Sequence, residues 1–245
     1  MTAPIGRTRA RAVDVLSLDA AGTRNALSGT LVAGLADALA ASGEDPGVRA
    51  VVLTHTGTTF CAGADLRDPP GPDALAGLLR QIVELPKPVL ARVTGHVRAG
   101  GLGLLAACDI AAASATATFA FTEVRIGVAP ALISLPVLPR ADPRALARYY
   151  LTGERFGPAE AVRLGLLTAA ADDVDDALAP VLDGLRRSSP QALAETKRLL
   201  TARVLETFDR DAAALTALSA RLFASDQARE GMTAFLERRD AAWVV

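Results

Sequence analysis

Phe60-Cys61-Ala62-Gly63-Ala64-Asp65-Leu66 and Gly95-His96-Val97-Arg98-Ala99-Gly100-Gly101-Leu102-Gly103 are two loops rich in small residues, and each follows an apolar run. Residues 50–53 precede the first loop and residues 89–93 the second; both runs are short enough to be buried parallel strands. Small residues let a main chain approach a ligand closely, and N–H groups from a loop and a helix start can together hold a developing negative oxygen. Either loop alone reads equally well as a tight turn with no ligand. Glycines at 95, 100, 101 and 103 do not keep the G-x-G-x-x-G spacing, and the first strand–helix unit lacks it too, which excludes a dinucleotide fingerprint.

Outward from the loops, strand-like and helical patterns alternate. Val13, Val15 and Leu18 lie in a short β-like run, and Ser28 is placed to cap a helix carrying Leu31, Leu35 and Leu39 at helical spacing. Pro69, Pro70 and Pro72 precede a helix expected over 73–85, which Pro86 and Pro88 end. Residues 54–65 read as a loop, 95–103 as a glycine-rich turn into a helix at 104–108, and 109–113 and 118–121 as strands. Strand–helix alternation of this kind predicts parallel pairing through right-handed crossovers. Beyond residue 140 the pattern is mostly helical, and after Pro190 three helices are expected, over 192–203, 207–222 and 227–242. The predicted organisation is an α/β core over 1–189 and a helical region over 190–245.

Composition narrows the function classes. Apolar residues make up 51% of the 245-residue chain, enough for a large core and against disorder. A net charge of −1, from 26 basic and 27 acidic residues, gives no electrostatic footprint for nucleic acid or membrane lipid. Two cysteines, Cys61 and Cys108, cannot build a disulfide framework, and the two histidines, His55 and His96, lie on separate segments, so no metal site is expected. Arg7, Arg9 and Arg11 are not followed by a signal-type apolar core, and no apolar run approaches ~20 residues. The expected location is a reducing cytoplasm.

Taken together and in order, the segments resemble the crotonase family, the enoyl-CoA hydratase/isomerase superfamily. The resemblance runs through Arg24-Asn25-Ala26-Leu27, residues 51–66, Pro86-Lys87-Pro88-Val89, residues 100–109, 119–127 with Glu123, Leu151-Thr152-Gly153, 159–166, Ser189-Pro190 and Lys197. It implies an α/β spiral of ββα turns with a C-terminal helical trimerisation region, assembled as a homotrimer or a hexamer, and a bound acyl-CoA thioester as substrate. No cofactor is implied beyond the coenzyme A of the substrate itself. By the same resemblance the N–H groups of Ala64 and Gly100 form the oxyanion hole. Ala62, Asp65 and Leu66 line the path of the adenine and pantetheine, and Arg24 approaches the CoA phosphates.

Two departures decide the chemistry. The first glutamate of the family's hydratases is replaced by Gly103, while the second matches Glu123. Two carboxylates suit hydration because one orients water for attack at Cβ while the other delivers a proton to Cα. With Glu123 alone three readings stand: a 2-enoyl-CoA hydratase, a 3,2-enoyl-CoA isomerase, and a non-catalytic acyl-CoA binder. Pro130-Ala131-Leu132-Ile133-Ser134, beside Gly103, resembles methylglutaconyl-CoA and carboxygeranoyl-CoA hydratase-like members and favours the first. Gly103 reads either as a helix-packing glycine or as a gap whose missing side chain leaves room for water or a bulky acyl group. Glu123 reads either as the catalytic acid or as a structural partner of Arg125. Arg98 and Ala99 also depart from the family, where an apolar or small residue and a glycine stand. Arg98 is a candidate for binding a distal substrate carboxylate, or else an exposed loop arginine. Asp68 and Glu84 are candidates to replace the missing acid, or else solvated helix-face residues.

Overall fold

The computed structural model describes residues 4–245, so the first three residues of the expected core unit lie outside the described residues. Strands β1 (Ile5–Ala10) and β2 (Val13–Leu18) form a hairpin whose turn places Arg11 and Ala12 at positive φ. Helix α1 (Gly29–Glu44) follows, with the Ser28 hydroxyl accepting the Leu31 N–H at 3.2 Å, as the sequence predicts. Then come β3 (Ala50–His55), β4 (Thr59–Cys61), α2 (Pro72–Glu84), β5 (Val89–Val93), β6 (His96–Arg98), α3 (Gly100–Ala107), β7 (Ile110–Ser114) and β8 (Phe119–Ala120). A 3-10 turn, Glu123–Ile126, leads to α4 (Ser134–Val137), α5 (Pro143–Thr152), α6 (Pro158–Arg163), β9 (Ala169–Ala171), α7 (Val174–Arg187), α8 (Pro190–Phe223) and α9 (Asp226–Glu237).

Six strands make the main sheet in the order β1-β2-β3-β5-β7-β9. All its pairings are parallel except the β1–β2 edge, which is antiparallel. Strand β3 is buried along its whole length, the pattern of a parallel strand covered on both faces. One face packs against Leu31, Leu35 and Leu39 of α1 and Leu78, Leu79 and Ile82 of α2; the other packs against Val174 and Leu178 of α7.

A second sheet, β4-β6-β8, is parallel throughout. Strand β8 falls within the strand expected over 118–121, but the sequence reading takes 54–65 as a loop and 95–103 as a turn, so β4, β6 and their pairing into this sheet are corrections. Its strands are two or three residues long, too short to show a period. The C-terminal region is also corrected: one 34-residue helix, α8, replaces the first two expected helices. Val204-Leu205-Glu206 contains no glycine or proline, so nothing interrupts the helix there. The break falls at Ser225, whose hydroxyl caps α9 by accepting the Ala228 N–H at 3.1 Å.

Candidate active site

The small sheet explains why residues far apart in sequence meet. Strand β6 lies between β4 and β8, with Cys61 paired to Val97 and Arg98 paired to Ala120. Because the strands are parallel, their C-terminal ends open at one edge, where α/β sheets place ligands. Ala64 lies three residues beyond β4, Gly100 two beyond β6 and Glu123 three beyond β8.

Local hydrogen bonds set each of the three. The Leu27 N–H donates to Gly63 O (2.8 Å) and the Asp65 N–H to Leu27 O (2.9 Å), a bridge that does not use the Ala64 N–H. Gly100 opens α3, so its N–H has no acceptor within the helix. The two loops touch: a Cβ added at Gly100 would lie 3.9 Å from Ala64 N and 2.8 Å from Leu27 Cδ1. Ala99 turns the chain into α3 at φ 45° and ψ −117°, a conformation that favours glycine. Strain of this kind costs about 1–3 kcal/mol and collects at functional sites.

Arg24 is exposed at φ 55°, and its carbonyl accepts the Ala62 N–H at 3.1 Å. Buried Asn25 anchors that loop, accepting from Ala20 N–H and donating to Thr56 O and Thr59 O. Ala62, Asp65 and Leu66 are half-buried along the same rim, and the Asp65 carboxylate caps the Arg67 N–H.

Glu123 is 8% exposed and forms no ion pair among the described residues. Its Oε2 is buried without a hydrogen-bond partner. Burial pushes its pKa up to about 7, relieved only by a backbone N–H. Arg125 is not its partner: the Arg125 Nε donates to Thr152 O at 3.0 Å, tying the 3-10 turn to the end of α5. The pairing of Glu123 with Arg125 is thereby removed. A buried, unpaired carboxyl with a raised pKa is the form a proton-transfer group takes.

The room expected at Gly103 is not there. A Cβ at this position would meet Ile133 Cγ2 at 2.7 Å, Ile133 Cβ at 3.1 Å and Leu79 Cδ1 at 3.4 Å. Gly103 is therefore a close-packing glycine in α3 beneath Ile133, and the missing carboxylate cannot simply be put back. Gly103→Glu is expected to lower stability by about 1–3 kcal/mol, the usual cost of overpacking, and to leave hydration no faster. An unchanged Tm with increased hydration would contradict this packing.

Asp68 is exposed, and Glu84 pairs with Arg80 at 2.7 Å on the outer side of α2, so both are solvated residues here. Arg98 is half-buried and folded back on the small sheet. Its Nη1 donates to Val97 O (2.9 Å) and Thr118 O (2.6 Å), and its Nη2 to Thr118 Oγ1 (2.7 Å). Burial, then the charges of Arg155 and Arg24, hold its pKa below the ordinary arginine value. His55 accepts the Thr94 N–H, and His96 contacts the Thr118 hydroxyl. No cluster of metal-ligating side chains occurs among the described residues.

The sequence reading did not single out Tyr150, and it used Ser134 only as the last residue of the 130–134 stretch. The Tyr150 ring packs on Phe121 with centroids 4.5 Å apart, and its hydroxyl lies 3.4 Å from Ser134 Oγ. Tyr149, its neighbour, gives the same one-residue signal but turns the other way, donating to Glu160 at 2.7 Å.

Comparison with known proteins places the sequence and the fold in one family. The sequence model of the enoyl-CoA hydratase/isomerase family matches residues 8–244. The chain is 31% identical to a carnitinyl-CoA dehydratase of Proteus mirabilis over 216 residues, 82% of this chain and 83% of that protein. It is 30% identical to an (E)-benzylidenesuccinyl-CoA hydratase of Thauera aromatica over 231 residues, 89% and 90% of the two chains. The crystal structure of an enoyl-CoA hydratase from Mycobacterium avium superposes with a TM-score of 0.93 at 50% identity, covering 100% of both chains.

Proposed function

The chain belongs to the enoyl-CoA hydratase/isomerase family and has the crotonase fold, and from that premise we propose that it adds water reversibly to a 2-enoyl-CoA thioester. One observation carries the reading: three neighbouring parallel strands deliver Ala64, Gly100 and the buried, unpaired Glu123 to one edge. The Ala64 and Gly100 N–H groups hold the thioester oxygen, each donor lowering the barrier by about 3 kcal/mol. Water oxygen bonds to Cβ, and the π electrons move onto the thioester oxygen. The resulting enolate takes the Glu123 proton at Cα. The proton released by the added water then restores Glu123, so the enzyme ends unchanged.

Arg24, Arg98 and Arg155 form a basic group, and neither Arg24 nor Arg155 has an ion pair among the described residues. This group meets the CoA phosphates. Arg98 lies with Arg24 and Arg155, so it serves that end of the substrate in preference to a distal carboxylate. Ala62, Asp65 and Leu66 line the adenine and pantetheine path. The acyl group is assigned to the branched or carboxylated class handled by methylglutaconyl-CoA and carboxygeranoyl-CoA hydratases, on the local resemblance at 130–134. Coenzyme A enters only as part of the substrate, and no metal or redox cofactor takes part.

A homotrimer or hexamer is assembled through the helical region 190–245. Support comes from Leu199 and Leu200 of α8 and Phe235 of α9, which are 81%, 75% and 57% exposed. Large apolar side chains exposed to this degree mark surface suited to being covered by a partner. Among the described residues no helix is long and apolar enough to cross a membrane; the cytoplasm is the proposed location.

A second reading, 3,2-enoyl-CoA isomerisation, is favoured by the Ile133 packing over Gly103, which leaves Glu123 as the lone carboxyl. The two readings require opposite protonation states. Hydration starts from the Glu123 acid, so kcat/KM for loss of enone absorbance should fall as pH rises through about 7. Isomerisation starts from the carboxylate, and its kcat/KM should climb over the same range. A protein that binds acyl-CoA, raising its Tm, and turns over neither ester is a binder and overturns both.

A further inference from the structure

Hydration needs a group to hold the attacking water, and the glutamate that would do so is absent. Two hydroxyls meet on segments packed against the strand end that leads to Glu123. Ser134 follows Ile133, the residue that fills the space over Gly103, and opens α4. Its hydroxyl donates to Pro130 O at 2.7 Å, so its lone pairs remain to accept. Tyr150 Oη stands 3.4 Å from that oxygen. The Tyr150 ring is fixed against Phe121, two residues before Glu123, and the Arg125–Thr152 hydrogen bond clamps the same two segments. Burial, relieved in part by Ser134, and the nearby Glu123 charge raise the Tyr150 pKa, so the phenol remains a donor throughout the neutral range.

On these contacts, and resting on the hydration reading of the same site, we infer that Ser134 Oγ and Tyr150 Oη position the attacking water. The water donates one proton to Ser134 Oγ and accepts the Tyr150 proton. Its second proton points to Glu123, and its remaining lone pair points to Cβ. Ser134 and Tyr150 are positioning residues: neither gains nor loses a proton over the cycle, and Glu123 alone exchanges one with the substrate.

The experiment compares Tyr150→Phe and Ser134→Ala with wild type in two reactions. One is hydration of crotonyl-CoA or 3-methylglutaconyl-CoA. The other is exchange of the Cα proton of a saturated acyl-CoA in D2O, which needs Glu123 and the two N–H groups but no attacking water. Tyr150→Phe keeps the ring against Phe121, so folding is preserved and Tm serves as the control. Each variant should lower kcat for hydration about 10- to 100-fold, the effect of losing one aligned hydrogen bond in the transition state. KM should stay within about twofold, as for an interaction made only in the transition state, with exchange at the wild-type rate. Hydration at the wild-type rate in both variants, or exchange falling in parallel with it, overturns the inference. A wild-type protein that exchanges Cα protons without hydrating overturns the hydration reading beneath it, and Glu123→Gln retaining exchange removes Glu123 instead.

Discussion

Glu123→Gln should lower hydration by about 10²- to 10⁴-fold and at the same time make the protein more stable at pH 8. The first effect is the usual range for removing a positioned acid or base, since glutamine keeps the shape but carries no transferable proton. The second follows from burial. The Glu123 carboxyl has its pKa raised from 4.5 to about 7 by desolvation, so the folded state binds this proton more tightly than the unfolded chain. Its favourable contribution is complete below 4.5 and is lost as pH rises through about 7. Above that, folding carries the cost of an ionised carboxylate with no partner, about 3 kcal/mol for a shift of this size. Glutamine carries no charge and escapes that cost. Denaturant unfolding at pH 5 and pH 8 reads the effect: wild type loses stability between the two, and the variant loses less. A variant that is equally fast, or less stable than wild type at pH 8, would contradict the buried unpaired acid on which the site reading depends. Stability traded for activity at one residue is common where a site holds a group its fold disfavours.

Lys197→Ala should cost about 3–5 kcal/mol of stability, the largest structural effect expected of any single change outside the site. Lys197 is 5% exposed, on the core-facing side of α8. Its Nζ donates to Ile82 O at 2.8 Å and Lys87 O at 3.1 Å, and pairs with Asp109 Oδ2 at 2.8 Å. Asp109 Oδ2 also accepts the Val89 N–H at 2.8 Å. One ammonium thus joins α8 to the end of α2, the entry to β5 and the start of β7. Alanine would leave a partly buried carboxylate and two carbonyls without their donor. Asp109→Asn in the same chain should recover part of the loss, because no uncompensated charge then remains. Full stability in Lys197→Ala, or no recovery in the double variant, would show that the ion pair does not hold α8 in place. Hydrogen exchange should show α8 and α9 opening first, since α8 loses its buried tether to the core.

The site and the fold were legible in the sequence to different degrees. Strands β3 and β5 could be read because a parallel strand covered on both faces needs an uninterrupted apolar run. Helix α1 could be read because Ser28 and the Leu31–Leu35–Leu39 spacing agree on its start and its buried face. Strands β4 and β6 could not: three residues carry no period, and their hydrogen bonds depend on partners at least twenty residues away. The C-terminal helices were divided wrongly because charged residues such as Arg203 and Glu206 interrupt the apolar pattern there. On a helix with one face on the core they are only its outer side.

The one-dimensional order of motifs determined the family, the two glycine-containing loops, the presence of Glu123 and the loss of its partner acid at Gly103. These are matters of which residue stands where along the chain: the loops can be read from it directly, and the lost partner acid only through the resemblance to the family. Only the tertiary structure decided that the space at Gly103 is filled by Ile133, that Arg125 turns to Thr152 and leaves Glu123 alone, and that the Ser134 and Tyr150 hydroxyls meet. Each of these depends on side chains from separate segments competing for one volume or one hydrogen bond, and no local pattern encodes which of them wins.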